Sequence, residues 1–166
     1  MLRGATFDGM GIRYFAISID NDDYERISRG PCPACGAQPH PNDDDDLESP
    51  AETLDLDKAY WMLQRVFATL DLNKAIQLVA GGVTHTPRGW ISYRGLLSPD
   101  VVQEIVDELA TVDAEKVRRQ MLDHRIGYGD DRVQQDAEYA VEFFNRAKEF
   151  LRTVSSQGRG VVYNIG

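Results

Sequence analysis

The stretch that decides the fold is Val133–Val154, VQQDAEYAVEFFNRAKEFLRTV, with GVVYNI at Gly160–Ile165 closing the chain. Val133, Ala137, Ala140, Val141, Phe144, Ala147, Leu151 and Val154 recur at three- and four-residue steps, the stripe of a helix that buries one face. Asp136 and Glu138 early, Lys148 and Arg152 late, suit the helix dipole, and Asp130 or Asp131 is the expected cap. Such a helix is about 30 Å long, the width of a small domain. Gly158 and Gly160 end it, and the β-branched run after them reads as a strand returning beside it.

Working outward, Ile12–Ile19 alternates loosely among strand formers and reads as the first strand, expected in the same sheet as the last. Asp22–Ile27 fits a short helix. A second helical face is read from Asp55 onward through Leu56, Ala59, Tyr60, Leu63, Val66, Phe67 and Leu70, with Asp55 or Asp57 as its cap and Trp61 to its side. Asn73 is placed as the cap of a short helix that Gly81-Gly82 ends. Gly82–Leu97 reads as irregular. Ser98-Pro99 opens a helix burying Val102, Ile105, Val106 and Leu109, and Asp113 caps another using Val117 and Met121. The expectation is one helix-rich α+β domain over residues 1–166, with a small sheet formed from its N- and C-terminal strands.

A chain of 166 residues buries about 70% of its unfolded surface without staples. No run approaches the roughly 20 apolar residues of a membrane helix, Met1–Asp8 lacks a signal-peptide core, and two cysteines make no disulfide framework. The protein is therefore expected in the cytoplasm. Its net charge of −9 is concentrated: Asp20–Asp57 holds 12 acids against Arg26 and Arg29, while the rest holds 15 acids and 16 bases. Nucleic acid and anionic membranes would be repelled by that segment. It is either a solvated acidic stretch or the contact for a basic protein partner.

Several stretches together resemble the YfbM-like family of bacterial proteins, a domain of unknown function. They are Leu54-Asp55-Leu56-Asp57-Lys58-Ala59 followed by an aromatic residue, Gly81-Gly82, and Tyr93-Arg94 ahead of Leu97-Ser98-Pro99-Asp100-Val101-Val102. The Phe143–Ile165 ending and Gly9-Met10-Gly11 are similar too. Tyr60 stands where the family usually has tryptophan, and Trp61 comes next. The resemblance implies an intracellular α+β domain and supplies no catalytic residues. Arg29–Ala51 looks like an insertion on which the family is silent.

That insertion carries one candidate metal site. Cys32 and Cys35 have the two-residue spacing of half a zinc ribbon, and His40 adds a third ligand. The fourth would come from Asp43–Asp46 or solvent; the alternative is a pair of reduced thiols in a surface loop. The candidate pocket is the Gly81–Arg94 loop. Arg88 and Arg94 can hold an anion, Trp90 or Tyr93 can stack on a planar ligand, and His85 can move a proton. A surface loop anchored by two buried aromatics explains the same residues. No nucleophile–base pair is legible, so the expected function is a non-catalytic binding protein, with a ligand binder or enzyme, or a domain with only structural zinc, as alternatives.

Overall fold

The structure is a computed structural model that describes residues 11–29 and 52–166. Its centre is the pairing of β1 (Tyr14–Ile19) with β6 (Gly160–Ile165), antiparallel from Tyr14↔Ile165 to Ile19↔Gly160. Outside them lie β2 (Thr53–Asp57), against β1, and β5 (Tyr93–Leu97), against β6, giving an antiparallel sheet of order β2-β1-β6-β5. A separate hairpin joins β3 (Thr84–Thr86) to β4 (Gly89–Ile91). The helices are α1 (Asn21–Ser28), α2 (Tyr60–Thr69), α3 (Pro99–Leu109), α4 (Ala114–Asp123) and α5 (Val133–Ser156), with a 3₁₀ turn at Ala75–Val79. The α+β class and the shared sheet of the terminal strands hold. No helix among the described residues is long and apolar enough to cross a membrane.

Strand alternation sends Tyr14, Ala16, Ser18, Val161, Tyr163 and Ile165 to one face, all buried under helices. α5 supplies the largest share of that cover. Its buried face is the expected one, with Phe144 fully buried edge-on to Phe67 at 6.4 Å, and Phe143 and Phe150 widen it. The helix ends as the glycines suggest. Gly158 is left-handed (φ 63), its N–H reaches Ser155 O, and Arg159 N–H reaches Val154 O. On the other face of the sheet, Tyr24 of α1 packs beside Gly160 and Ile19.

Four local expectations are corrected. Leu54 and Leu56 point inward from strand β2, and the helix begins only at Tyr60, with no side-chain cap. A period-2 pair runs into a period-3.6 stripe there without glycine or proline between them. Gly82–Leu97 is not irregular but forms β3, β4 and β5; Gly95 sits mid-strand because a Cβ there would lie 2.0 Å from the Tyr163 ring. Neither Asp130 nor Asp131 caps α5, whose N-cap position is Arg132. Asn73 does not cap the 3₁₀ turn: Glu108 Oε2 accepts the N–H groups of Lys74 (2.9 Å) and Ala75 (2.6 Å). Ser98 and Asp113 do cap α3 and α4.

The sheet is tied to the 3₁₀ turn by side chains. Tyr14 donates its hydroxyl to Leu78 O (2.8 Å), and the Tyr163 hydroxyl lies 2.9 Å from Ala80 O and 3.0 Å from Gln77 O. Gln64 donates to Gly81 O (2.8 Å) and Val79 O. The two phenol rings stack at 5.2 Å. Burial, then the neighbouring phenol (Tyr163 for Tyr14, Tyr93 for Tyr163), raises both above the ordinary tyrosine value of 10.0. Each therefore holds its proton more tightly folded than unfolded. That stability is complete below pH 10 and is lost as pH rises past it. Urea melts should give constant stability from about pH 7 to 9, then a fall approaching about 1.4 kcal/mol per pH unit for each tyrosine. Tyr163→Phe should flatten the fall; a wild-type curve level to about pH 11.5 would contradict the clamp.

Candidate functional site

The most chemically dense surface forms where β2 enters α2. Tyr14 faces Asp57 and Phe15 faces Asp55, so β2 carries one extra residue, a bulge that leaves Leu56 unpaired just ahead of Asp57. Asp57 is left-handed (φ 45), unusual for a residue with a side chain. Its N–H donates to Asp55 Oδ1 (2.7 Å), and its Oδ2 accepts the Tyr139 hydroxyl (2.8 Å). Its Oδ1 accepts no hydrogen bond and lies 3.3 Å from Arg13 Nε in an ion pair. Burial, then the bond to Asp57 and its charge, pushes the Tyr139 phenol well up.

Further aromatic side chains cluster at the helix start that follows Asp57. Tyr60, the first residue of α2, stacks on Tyr14 at 6.3 Å. Trp61 meets Tyr128 edge-on at 5.3 Å and donates its indole N–H to the Tyr128 hydroxyl (3.2 Å). Burial, then the Tyr128 phenol, raises Tyr60 above its ordinary value, and the same phenol adds last to the rise at Tyr139. Tyr128 is 53% exposed yet fixed. Arg125 (φ 49) ends α4 in the left-handed region, Ile126 N–H bonds Met121 O, and Ile126 is buried. Buried Asp136 then accepts Tyr128 N–H (2.7 Å), and Gly127 is needed because a Cβ would lie 2.4 Å from that carboxylate. Arg132 lies 5.9 Å from the Tyr128 ring. An acid, three phenols and an indole thus form an open, pre-set corner suited to a cation with an apolar or planar body.

The sequence-predicted pocket residues are placed differently. His85 and Trp90 come together as a cross-strand pair on the hairpin. Trp90 is 44% exposed, its ring within van der Waals reach of Gly11, and Arg88 is exposed at the two-residue turn. Tyr93 and Arg94 are successive residues of β5 and point to opposite faces. Tyr93 covers Gly81, where a Cβ would lie 2.3 Å from its ring, while Arg94 is in register with Asn164 and, beyond it, Phe15. Tyr93 and Arg94 therefore do not face one hollow. Cys32, Cys35, His40 and Asp43–Asp46 lie outside the described residues. Among the described residues no group of three or more His, Cys, Asp or Glu side chains is placed to hold a metal.

Residues 9–163 match the family model described as a domain of unknown function (DUF1877). The chain belongs to this family. A search of curated proteins gives no match. The crystal structure of YfbM from Escherichia coli, a protein of unknown function, is similar with a TM-score of 0.61 and 16% identity, covering 93% of this chain and 99% of that one. At that identity the likeness is one of fold. The YfbM-like resemblance read from Leu54–Ala59 and the later stretches is therefore correct, and the first of those stretches leads directly into the Asp57 corner.

The left-handed backbone at Asp57 gives a direct test. Asp57→Ala should destabilise by about 2–4 kcal/mol, from left-handed strain and the orphaned Tyr139 hydroxyl. Asp57→Gly, free of the strain, should recover about 1 kcal/mol of that in denaturant melts. An alanine variant as stable as the glycine variant would show that the backbone is unstrained.

Proposed function

We propose that this DUF1877 protein is a non-catalytic binding protein that receives a cationic side chain of a basic protein partner at the Asp57 corner. The observation that carries this reading is the Asp57 carboxylate, held by Tyr139 just ahead of α2, the helix on which Trp61 locks edge-on to the half-exposed Tyr128. Two cations of the chain itself already use the corner, Arg13 on the carboxylate and Arg132 beside the Tyr128 ring. Tyrosine, tryptophan and arginine are the residue types that dominate interface energetics, and here the aromatics are fixed before any partner arrives. Asp57 also closes the acidic Asp20–Asp57 segment, whose charge would speed encounter with a basic surface. A second reading, contact through the hairpin, is favoured by the exposure of Trp90 (44%) and Ile91 (61%).

The test is to capture the partner from the native host, purify it, and measure its affinity for defined variants. Asp57→Asn and Tyr128→Ala should each weaken binding by about tenfold or more, and added salt should weaken the wild type further. Wild-type affinity in both variants, with loss in Trp90→Ala, would transfer the contact to the hairpin. A metabolite-induced thermal shift that disappears in Arg94→Ala would favour a small-molecule ligand instead.

A further inference from the structure

Within the Asp57 corner, Arg13 differs from every other group. Its backbone is pinned, since Arg13 N–H donates to Gly166 O (2.9 Å) and Gly166 N–H donates to Arg13 O (3.0 Å). Its side chain is not: it is 64% exposed and makes the 3.3 Å ion pair with Asp57 Oδ1. That pair lies outside hydrogen-bond geometry, because Oδ1 is shielded from solvent yet accepts no hydrogen bond. The other oxygen, Oδ2, is taken by Tyr139. The carboxylate thus has one oxygen with spare acceptor capacity, and a weakly held cation of the same chain stands over it.

We infer that Arg13 is an internal competitor, occupying at Asp57 Oδ1 the place of an arginine side chain from the partner. This rests on the binding role proposed for the corner. With Oδ2 engaged, the incoming guanidinium bonds Oδ1 through one N–H and lays its plane against the Tyr139 phenol that holds Oδ2. Arg13 swings into solvent about a backbone that stays paired to Gly166. An ammonium can supply the charge but not the stacking plane, so arginine is preferred to lysine.

The probe is a synthetic peptide of alternating arginine and glycine, titrated calorimetrically into the full-length protein. Arg13→Ala and Arg13→Gln should each tighten Kd by about three- to fivefold, the reach of a weak exposed ion pair. Arg88→Ala, which removes an equal charge at the hairpin turn, should leave Kd unchanged. Asp57→Asn should abolish the gain in the Arg13→Ala background, and the matching lysine peptide should bind more weakly throughout. If Asp57→Asn weakens binding but neither Arg13 variant tightens it, the competitor role is wrong while the corner remains the binding site. Equal tightening in Arg88→Ala would reduce the effect to overall charge and overturn the inference. Failure of the peptide to bind both the wild type and Arg13→Ala would overturn the inference and the binding role together.

Discussion

Two tyrosine hydroxyls, Tyr14 on Leu78 O and Tyr163 on the carbonyls of Gln77 and Ala80, set the frame on which the rest depends. The end of a 3₁₀ turn leaves carbonyls without partners inside the turn, and burying them unmet would cost more than the apolar contacts around them return. The central strands meet that need with side chains that are themselves core. The same rings then stack outward, Tyr163 beside Tyr14 at 5.2 Å and Tyr60 beside Tyr14 at 6.3 Å. Tyr60 opens α2, so the stack fixes where that helix starts and where Trp61 projects. The corner at Asp57 is thus a consequence of how the sheet is clamped to its helical layer.

Much of the frame was legible because it is local. Val133–Ile165 carries one unbroken helical period, a glycine stop and a β-branched run, and it folds as read apart from its N-terminal cap. Leu54–Tyr60 was misread because Leu56 serves both a strand alternation and the following helical stripe; only the backbone reversal at Asp57 separates them. Tyr93–Leu97 hid its strand behind Gly95, whose missing side chain makes room for Tyr163 from β6. Glu108 capping the 3₁₀ turn more than 30 residues away left no local trace.

The corner was less legible than the frame for the same reason. It draws Arg13, Asp57 with Tyr60 and Trp61, Tyr128 and Tyr139 from four separated parts of the chain, and no spacing rule joins the four. The one local signal is Leu54–Ala59 with its trailing aromatics, which reads as a family stretch rather than as a site. The hairpin residues attracted attention because they are adjacent in sequence. Adjacency works against them in a strand, where Tyr93 and Arg94 must face opposite ways.

In the binding role proposed, the acidity of the Asp20–Asp57 stretch would speed encounter with a cation, and the phenols and indole would give it a surface to rest on. Nuclear magnetic resonance tests this most directly, by following backbone amide shifts of the labelled protein as the arginine–glycine peptide is added. The largest shifts are expected at Arg13, Asp57–Trp61 and Tyr128–Arg132, saturating together. Shifts confined to the Thr84–Arg94 hairpin, or spread evenly over all acidic residues without saturation, would contradict the account.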